Sequence, residues 1–350
     1  MEGLASYFDS FIRSLKRSGK TGTFELVRKT AEFIQKAIGK QKFKSRKEVK
    51  DLVSMLTSFA RELSQYLPLE IALVNVVRRV LHIIREECTA KGVDLTSKRA
   101  SRPRHVTLTQ LLNIREDVIQ VGSLQELKNS ILLEVGLLIE ELESHIDSIS
   151  EQAPMHIHAN EVILTYGKSD TVESFLQSAK DRNFEVIVAE AAPHFRGHMM
   201  AKNLSEKNIA ATLIPDSAVY ALMSRVNKVI IGTHALMANG GLLTFSGTYG
   251  VCLAAQAHSV PVLVTCGLYK LSPLYPFDQD TYNEGFSPAL ISEIPGNDIA
   301  ENVNVSVPAF DYIPPELVSL YITNIGGHNP SYLYRLLSEY YSQEDYDLAA

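Results

Sequence analysis

Five glycines follow a β-branched run in residues 228–250, KVIIGTHALMANGGLLTFSGTYG, and this pattern is typical of a loop whose backbone approaches a phosphate. The helix that begins in this segment, GTYGVCLAAQAH, would present its N-terminus to such an anion. A phosphate site usually adds a cation, and an isomerase or transferase adds an acid, a base or a nucleophile. Between Gly232 and Gly250 the only titratable side chains are His234 and Tyr249. The segment therefore predicts the backbone of a phosphate site with little of its chemistry.

Asp216 follows another apolar run, ATLIP, at the point where that run ends. A carboxylate at the end of a strand can act as a general acid or base. It can equally accept backbone N–H groups as the N-cap of the next helix, which is worth about 1 kcal/mol. The sequence leaves both roles open and favours the cap.

Two histidine pairs have spacings that suit metal ligands. His194 and His198 are four residues apart, which places two imidazoles on one face of a helix, and His156 and His158 alternate in MHIHANE. Neither pair has a third ligand at a recognisable spacing, and no GxGxxG loop follows the first predicted strand. We therefore expect no bound metal and no cofactor.

The elements that must position these residues change character near residue 150. Apolar residues recur at helical spacing up to that point and predict an α-helical domain over 1–150. A polar, basic segment near 91–106 has no such period and predicts a mobile loop. The clearest helical segments are 54–67, 74–87 and 124–150.

Short β-branched runs replace the helical pattern after Pro154. Near-continuous apolar strands that alternate with helical segments predict an α/β domain with a mainly parallel sheet over 155–341. Ligands of such sheets bind at the carboxyl ends of the strands. An acidic tail follows at 342–350. The predicted strands are 161–167, 185–190, 211–215, 228–233, 261–266 and 303–314.

Composition limits the class of protein. The chain has 350 residues, three widely separated cysteines and a net charge of −6. No apolar run approaches the length that spans a bilayer, and the first residues do not have the pattern of a secretory signal, so we expect a cytosolic protein without membrane contact. The basic run 36–50 suits nucleic acid, but it lacks interleaved aromatic residues and is more typical of a solvated helix face.

Three segments resemble one known family: VIVAEAAPHFRGHMMAKNLS, SRVNKVIIGTHALMANGGL and FDYIPPELVSLYITNIGGHNPSYLYRL. The chain is similar to the regulatory alpha, beta and delta subunits of eukaryotic translation initiation factor 2B, over nearly all of residues 125–341. The resemblance implies an α-helical N-terminal domain followed by a Rossmann-like α/β domain. It also implies a non-catalytic regulatory subunit of the guanine-nucleotide exchange factor for translation initiation factor 2.

The same family is related to isomerases of ribose and methylthioribose phosphates, and the resemblance implies that this chain has lost their chemistry. The catalytic cysteine of those enzymes matches Gly167, and the arginine of their ETRP motif matches Ala192. His234 matches the acid of their GADR motif. Only the acid-base aspartate persists, as Asp216. The alternative function is sugar-phosphate aldose-ketose isomerisation.

The resemblance implies partners as well. These are the alpha, gamma, delta and epsilon subunits of initiation factor 2B, of which gamma and epsilon carry the exchange activity. His158 and Asn160 match positions at the beta-delta junction of the family. Glu185 stands where a histidine is usual in the pocket for a small-molecule activator there.

Initiation factor 2 itself is the further implied partner, recognised through its alpha subunit in a phosphorylation-sensitive way. Phosphorylation adds about −1.5 to −2 charges and can switch docking through Arg or Lys contacts. The family uses its helical domains for this contact, so we expect it on residues 124–146 of the predicted helix, at the exposed residues Lys128, Ser130 and Glu134. No direct contact with nucleic acid is expected.

Overall fold

Contacts between residues divide the chain into two compact units. One unit contains Met1–Tyr66, Val76–Glu140 and Tyr341–Ala350, and the other contains Leu67–Asn75 and Glu141–Tyr340. The chain therefore passes between the two units several times, whereas the sequence predicted a single boundary near residue 150. Most of the loop expected near 91–106, from residue 94 onwards, lies outside the described residues. This computed structural model describes residues 8, 10–15, 22–43, 45–93, 121–276, 278–279, 283, 285–291 and 303–348.

Four long helices occupy the N-terminal part of the chain and confirm the three predicted helical segments. Their apolar residues recur at helical spacing and bury one face, whereas the third helix is buried on nearly every side. The second helix ends just before Leu67 and Pro68, because a proline cannot continue it. The helices are α1 (Thr23–Lys40), α2 (Arg46–Tyr66), α3 (Ile71–Ala90) and α4 (Val121–Ser150).

A cluster of phenylalanine rings holds the first two helices together. Phe33 of α1 and Phe59 of α2 are both buried, and the ring of Phe8 lies 4.5 Å from that of Phe59. Phe11 stacks on Phe33 with ring centroids 4.0 Å apart. Such ring pairs stabilise a core beyond the area that they bury.

The acidic tail folds onto α3. Arg85 donates two 2.8 Å hydrogen bonds to the Asp345 carboxylate, whose side chain is 2% exposed. Arg78 is fully buried and donates to the backbone carbonyls of Asp345 and Tyr346. Charge-assisted bonds of this bidentate kind are among the strongest in proteins.

The second unit contains a seven-stranded sheet with the order β10-β9-β7-β4-β1-β2-β3. All neighbouring strands are parallel except β10, which is antiparallel to β9. This is the mainly parallel sheet that the sequence predicts. The strands of the chain are β1 (Val162–Tyr166), β2 (Glu185–Ala189), β3 (Ala210–Ile214), β4 (Lys228–Gly232), β5 (Ala235–Leu236), β6 (Leu242–Phe245), β7 (Val262–Thr265), β8 (Phe310–Ile313), β9 (Leu320–Thr323) and β10 (Gly326–His328).

A small antiparallel sheet, β5-β6-β8, corrects one expectation. The run 303–314 was expected to be a strand of the main sheet, but only Phe310–Ile313 is a strand, and it pairs with β6. The physical reason is Asp311, which interrupts the apolar run and bonds the backbone near Gly247 instead. The strand next to β7 in the main sheet is β9, which the apolar pattern of the sequence did not predict.

Helices cover both faces of the main sheet, as expected for parallel strands. Ser169 caps the first helix after β1 by accepting a hydrogen bond from the Val172 N–H. Buried residues from β1, β2, β4, β7 and β9 pack with Phe175, Leu176 and Met200 in the core. These helices are α5 (Ala153–His156), α6 (Asp170–Ser178), α7 (Arg196–Glu206), α8 (Val219–Leu222), α9 (Thr248–Ala257) and α10 (Leu333–Tyr340).

No helix in the described residues is both long and apolar enough to cross a bilayer.

The contact between Asp345 and α3 leads to the first prediction. Asp345→Ala should lower the free energy of unfolding by about 3 kcal/mol, because it removes the buried carboxylate that accepts two hydrogen bonds from the Arg85 guanidinium. Glu344→Gln is the matched control, since Glu344 contacts the same Arg85 but its side chain is 59% exposed, and it should cost less than about 1 kcal/mol. Urea unfolding followed by circular dichroism gives both values. Equal effects of the two substitutions would contradict the anchoring role of Asp345.

Candidate functional site

The carboxyl ends of β1, β2 and β3 bring together three of the four residues predicted for the degenerate site. The half-buried Asp216 carboxylate accepts a 2.9 Å hydrogen bond from the Ala191 N–H and a 2.8 Å bond from the Ala192 N–H. Asp216 makes no cap contact to the helical turn that it begins. The prediction that Asp216 caps the helix that follows it is therefore wrong. Its carboxylate binds backbone N–H groups of the loop after β2 instead. Both of its oxygens are engaged by the backbone.

Gly167 lies beside this loop with a backbone that favours glycine. Its φ is +63°, and a Cβ placed there would lie 3.2 Å from the Cβ of Ala191. A cysteine at this position would therefore be both strained and crowded. Ala192 presents only a methyl group, so the loop supplies no side-chain donor at the point where the related isomerases have an arginine.

Tyr166 occupies the space next to Asp216, and sequence reasoning missed it. The phenol donates a 2.9 Å hydrogen bond to the Ser246 carbonyl and packs against Gly247, where a Cβ would lie 2.0 Å from the phenol oxygen. Burial raises the pKa of Tyr166 above its usual range, and the carboxylates of Asp216 and Asp311 raise it further. The phenol therefore stays neutral. No sequence signal distinguished it from a core tyrosine.

His234, the fourth predicted residue, points elsewhere. Its ring stacks on Phe310 at 4.4 Å, and Nε2 bonds the Leu69 carbonyl. Burial lowers its pKa, and the nearby Lys270 ammonium lowers it further, while the Glu70 carboxylate opposes the shift. A neutral imidazole bonded to a backbone carbonyl does not replace the acid of the isomerase motif.

The N-terminus of α9 already holds an anion. Oδ2 of Asp311 accepts hydrogen bonds from the Gly247 N–H at 2.7 Å and the Tyr249 N–H at 3.0 Å. These are donors that a phosphate would need. The signal for this residue was present in the sequence, because an acid that interrupts an apolar run requires a partner.

Lys270, just after β7, is a cation that sequence reasoning also missed. Its ammonium group donates a 2.7 Å hydrogen bond to the Thr233 carbonyl. Burial lowers its pKa, while Cys266, Glu70 and Asp170 favour the charged form. A lone basic residue that follows an apolar strand was the available signal. The ammonium group holds the loop after β4 by its backbone.

The cysteines are buried and weakly acidic. Burial raises the pKa of Cys88 to about 11 and those of Cys252 and Cys266 to about 12. A thiolate nucleophile is therefore not available at neutral pH. Among the described residues, no group of three His, Cys, Asp or Glu side chains is placed to hold a metal ion.

The predicted junction residues lie at the opposite, amino edge of the sheet. His158 and Asn160 are exposed, and Glu185 is half-buried with its Oε1 3.0 Å from the Thr212 hydroxyl. Asn160 and Glu185 line the same cavity of about 460 Å³, which also contains Lys180. The structure thus brings two of the three residues together around one opening, with His158 beside it in sequence.

The three candidates on α4 are less accessible than expected. Lys128, Ser130 and Glu134 are half-buried. The Lys128 ammonium donates 2.7 Å bonds to the carbonyls of Gly39 and Gln41, at the C-terminus of α1, and Ser130 accepts from Lys91 at 2.8 Å. The assumption that these three residues are exposed is therefore wrong, because neighbouring segments of the helical unit cover them.

Two leucines on α4 are exposed instead. Leu133 is 61% exposed and Leu137, one turn further on, is 49% exposed. Periodicity could have found them, since they fall on the open face between the buried residues Ile131, Val135 and Leu138.

Comparison with known sequences gives a consistent picture. The model of the family described as "Initiation factor 2 subunit family" matches residues 20–330. The Dictyostelium discoideum protein named translation initiation factor eIF2B subunit beta is 42% identical, over 96% of this chain and 95% of its own length. The Schizosaccharomyces pombe protein of the same name is 35% identical, over 96% of each. Ribose 1,5-bisphosphate isomerase of Archaeoglobus fulgidus is 30% identical, over 68% of this chain and 76% of its own length.

Solved structures agree with the sequences. The crystal structure of eIF2B beta from Chaetomium thermophilum superposes with a TM-score of 0.75 and 28% identity, covering 98% of this chain and 94% of that one. A chain of the tetrameric eIF2B-beta2-delta2 complex from C. thermophilum gives a TM-score of 0.71 and 26% identity, covering 97% and 95%.

The Asp216 geometry predicts a structural role for this carboxylate. In Asp216→Asn the amide oxygen can accept from only one N–H, and the amide nitrogen faces the other, so unfolding should become easier by about 1–3 kcal/mol. Asp170→Asn is the control, because that side chain is 77% exposed and should change stability by less than about 1 kcal/mol. Thermal unfolding measures both. An unchanged melting temperature for Asp216→Asn would rule out the capping role.

Burial of the thiols predicts their reactivity. At mildly alkaline pH the folded protein should not react with a thiol-specific dye, because each thiol is buried and keeps its proton. All three cysteines should react once denaturant is added. Rapid labelling of any one of them in the folded protein, located by peptide mass spectrometry, would be inconsistent with this arrangement.

Proposed function

The chain belongs to the initiation factor 2 subunit family, and from this premise we propose the partners and surfaces through which it works as a regulatory subunit of the exchange factor for translation initiation factor 2. It is not an enzyme itself. Its partners include other subunits of the initiation factor 2B complex. We propose that these are the alpha, gamma, delta and epsilon subunits, that the chain also contacts the alpha subunit of initiation factor 2, and that it works in the cytosol.

The residues at the carboxyl ends of the strands support the conclusion that this chain does not catalyse a reaction. The position that the resemblance matches to the isomerase cysteine is Gly167, which has a left-handed backbone and where a Cβ would lie 3.2 Å from the Cβ of Ala191. The one surviving acid, Asp216, has both carboxylate oxygens bonded to backbone N–H groups. Loss of a nucleophile and of positioned cations removes terms that are each worth several kcal/mol of transition-state stabilisation.

The amino edge of the sheet supports a junction with the delta-type relative. In the part of the chain that the structure describes, β3 is the outermost strand of the main sheet and has one edge without a strand partner. Exposed strand edges are rarely left open in a stable protein. Asn160, Glu185 and the first residue of β3, Ala210, line the cavity at the amino ends of the strands. Covering this region by another subunit would bury the beginning of that edge.

The contact with initiation factor 2 alpha is best supported on the open face of α4. Leu133 and Leu137 form an exposed apolar pair, and the half-buried Glu134 adjoins Leu133 in sequence. Apolar side chains at the centre of a polar surface are typical of the positions that contribute most to binding. Lys128 and Ser130 connect α4 to other segments of the helical unit through their bonds to Gly39, Gln41 and Lys91.

Co-expression tests the regulatory assignment. The chain expressed alone should be prone to aggregation, and co-expression with its alpha and delta relatives should give a stable complex, because association stabilises the folded state. Native mass spectrometry then reports which subunits it holds. A stable monomer that ignores these relatives and converts ribose 1,5-bisphosphate at an enzyme-like rate would instead favour the isomerase alternative.

The α4 surface gives a sharper test. Leu133→Ser with Leu137→Ser should weaken binding of the initiation factor 2 alpha subunit about tenfold or more, through loss of buried apolar area. Leu290→Ser is the control, since Leu290 is 41% exposed in another part of the chain. Surface plasmon resonance on the assembled complex, with phosphorylated and unphosphorylated partner, measures the affinities. Unchanged affinity for both forms would refute this placement of the contact.

A further inference from the structure

A buried ion pair lies directly beneath the loop that carries the predicted junction residues. Lys228 is the first residue of β4 and is 9% exposed, and its Nζ lies 2.9 Å from Oε2 of Glu161. The Glu161 side chain is 16% exposed. We infer that Lys228 and Glu161 are positioning residues that fix the 156–160 loop for association with a partner subunit. This inference rests on the proposed function.

Both members of the pair also bind the backbone of the loop. Oε2 of Glu161 accepts a 2.9 Å hydrogen bond from the N–H of His158, and Nζ of Lys228 donates to the carbonyl of His156. The pair thus holds the loop on both sides of Ile157, whose side chain is fully buried. His158 is exposed directly above this anchor.

The next residues extend the same anchoring to the cavity. Asn160 has a left-handed backbone with φ of +60°, and its N–H donates a 3.0 Å bond to the Asn183 carbonyl. The Val162 N–H, at the start of β1, donates to the Asn227 side chain, one residue before Lys228. The backbone of the loop is therefore held by Lys228 and Glu161 at His156 and His158, and by Asn183 and Asn227 at Asn160 and Val162.

Stability alone gives a weak reason for this arrangement. The desolvation of two buried charges offsets much of their attraction, and apolar side chains of similar size often stabilise a protein as well. What a buried pair with two backbone contacts adds is a defined geometry for the segment that it holds. A surface that must match a partner needs that geometry, because a loosely held loop would have to be ordered at the moment of binding.

The test replaces the pair without leaving a lone charge. Lys228→Met with Glu161→Gln removes both charges and keeps the side-chain volumes similar. We expect faster amide hydrogen exchange confined to residues 156–161, and about tenfold weaker association of this chain with its delta-type relative in the full complex. Exchange is followed by mass spectrometry, and association by mass photometry over a dilution series.

The matched control is another partly buried Lys–Glu pair of the same unit. Lys207 lies 2.8 Å from Glu173, with side chains 31% and 11% exposed, and this pair does not contact the loop. Lys207→Met with Glu173→Gln should leave both measurements as in the wild type. Should the test variant misfold, Glu161→Asp supplies the same measurements, because it keeps both charges and withdraws the carboxylate from the His158 N–H.

The outcomes separate the inference from the function on which it rests. Wild-type exchange in the loop of the test variant, or wild-type association despite faster exchange, overturns the positioning role. If the wild-type chain fails to associate with the delta-type relative, the proposed function fails, and exchange measured on the free chain still decides whether the pair anchors the loop.

Discussion

The central constraint on this molecule is the need to satisfy backbone N–H groups at the carboxyl ends of parallel strands. The loops after the strands contain backbone N–H groups that do not bond to a neighbouring strand. Two carboxylates of the chain accept hydrogen bonds from them. Asp216 accepts from Ala191 and Ala192, and Asp311 accepts from Gly247 and Tyr249. Asp216 uses both carboxylate oxygens for these bonds, whereas Asp311 uses only Oδ2. Both carboxylates therefore stabilise the loops at the strand ends.

This arrangement explains how a fold shared with sugar-phosphate isomerases can serve an assembly. The core packed against the seven-stranded sheet consists of strand and helix residues and does not include Gly167 or Ala192. Tyr166, Lys270 and His234 are each bonded to a backbone carbonyl of a neighbouring segment. The fold of this unit is therefore held by contacts that require no catalytic side chain.

Most of the fold was predictable from the sequence, because apolar periodicity reports directly on buried faces. The three long helices and the first five strands of the main sheet were found in this way. The hairpin β5-β6 was missed, since short strands in an antiparallel sheet give too few residues for a clear period. The strand β8 was predicted only as part of the longer run 303–314 and was assigned to the main sheet. Asn239 and Gly240 were the available turn signal for the hairpin. The strand β9 was hidden in a segment whose apolar run is only four residues long.

The site was predicted less completely, for reasons that depend on contacts between distant residues. The approach of Gly167, Ala192 and Asp216 follows from parallel strand ends, so sequence order was enough. The position of His234 was not predictable, because Leu69 and Phe310, which hold it, come from remote parts of the chain. Lys128 was expected to be exposed because helical periodicity shows which face is apolar, but it cannot show that the end of α1 reaches that side chain.

The docking of the last residues on α3 has a consequence for how the protein is made. A ribosome synthesises the chain from its first residue, yet the helical unit is complete only when Asp345 meets Arg85. Most of this unit must therefore wait, with part of α3 uncovered, while some two hundred residues of the sheet unit are translated. In the nascent chain the surface of α3 that receives Asp345 stays uncovered during that interval, and exposed surface of this kind is what molecular chaperones bind.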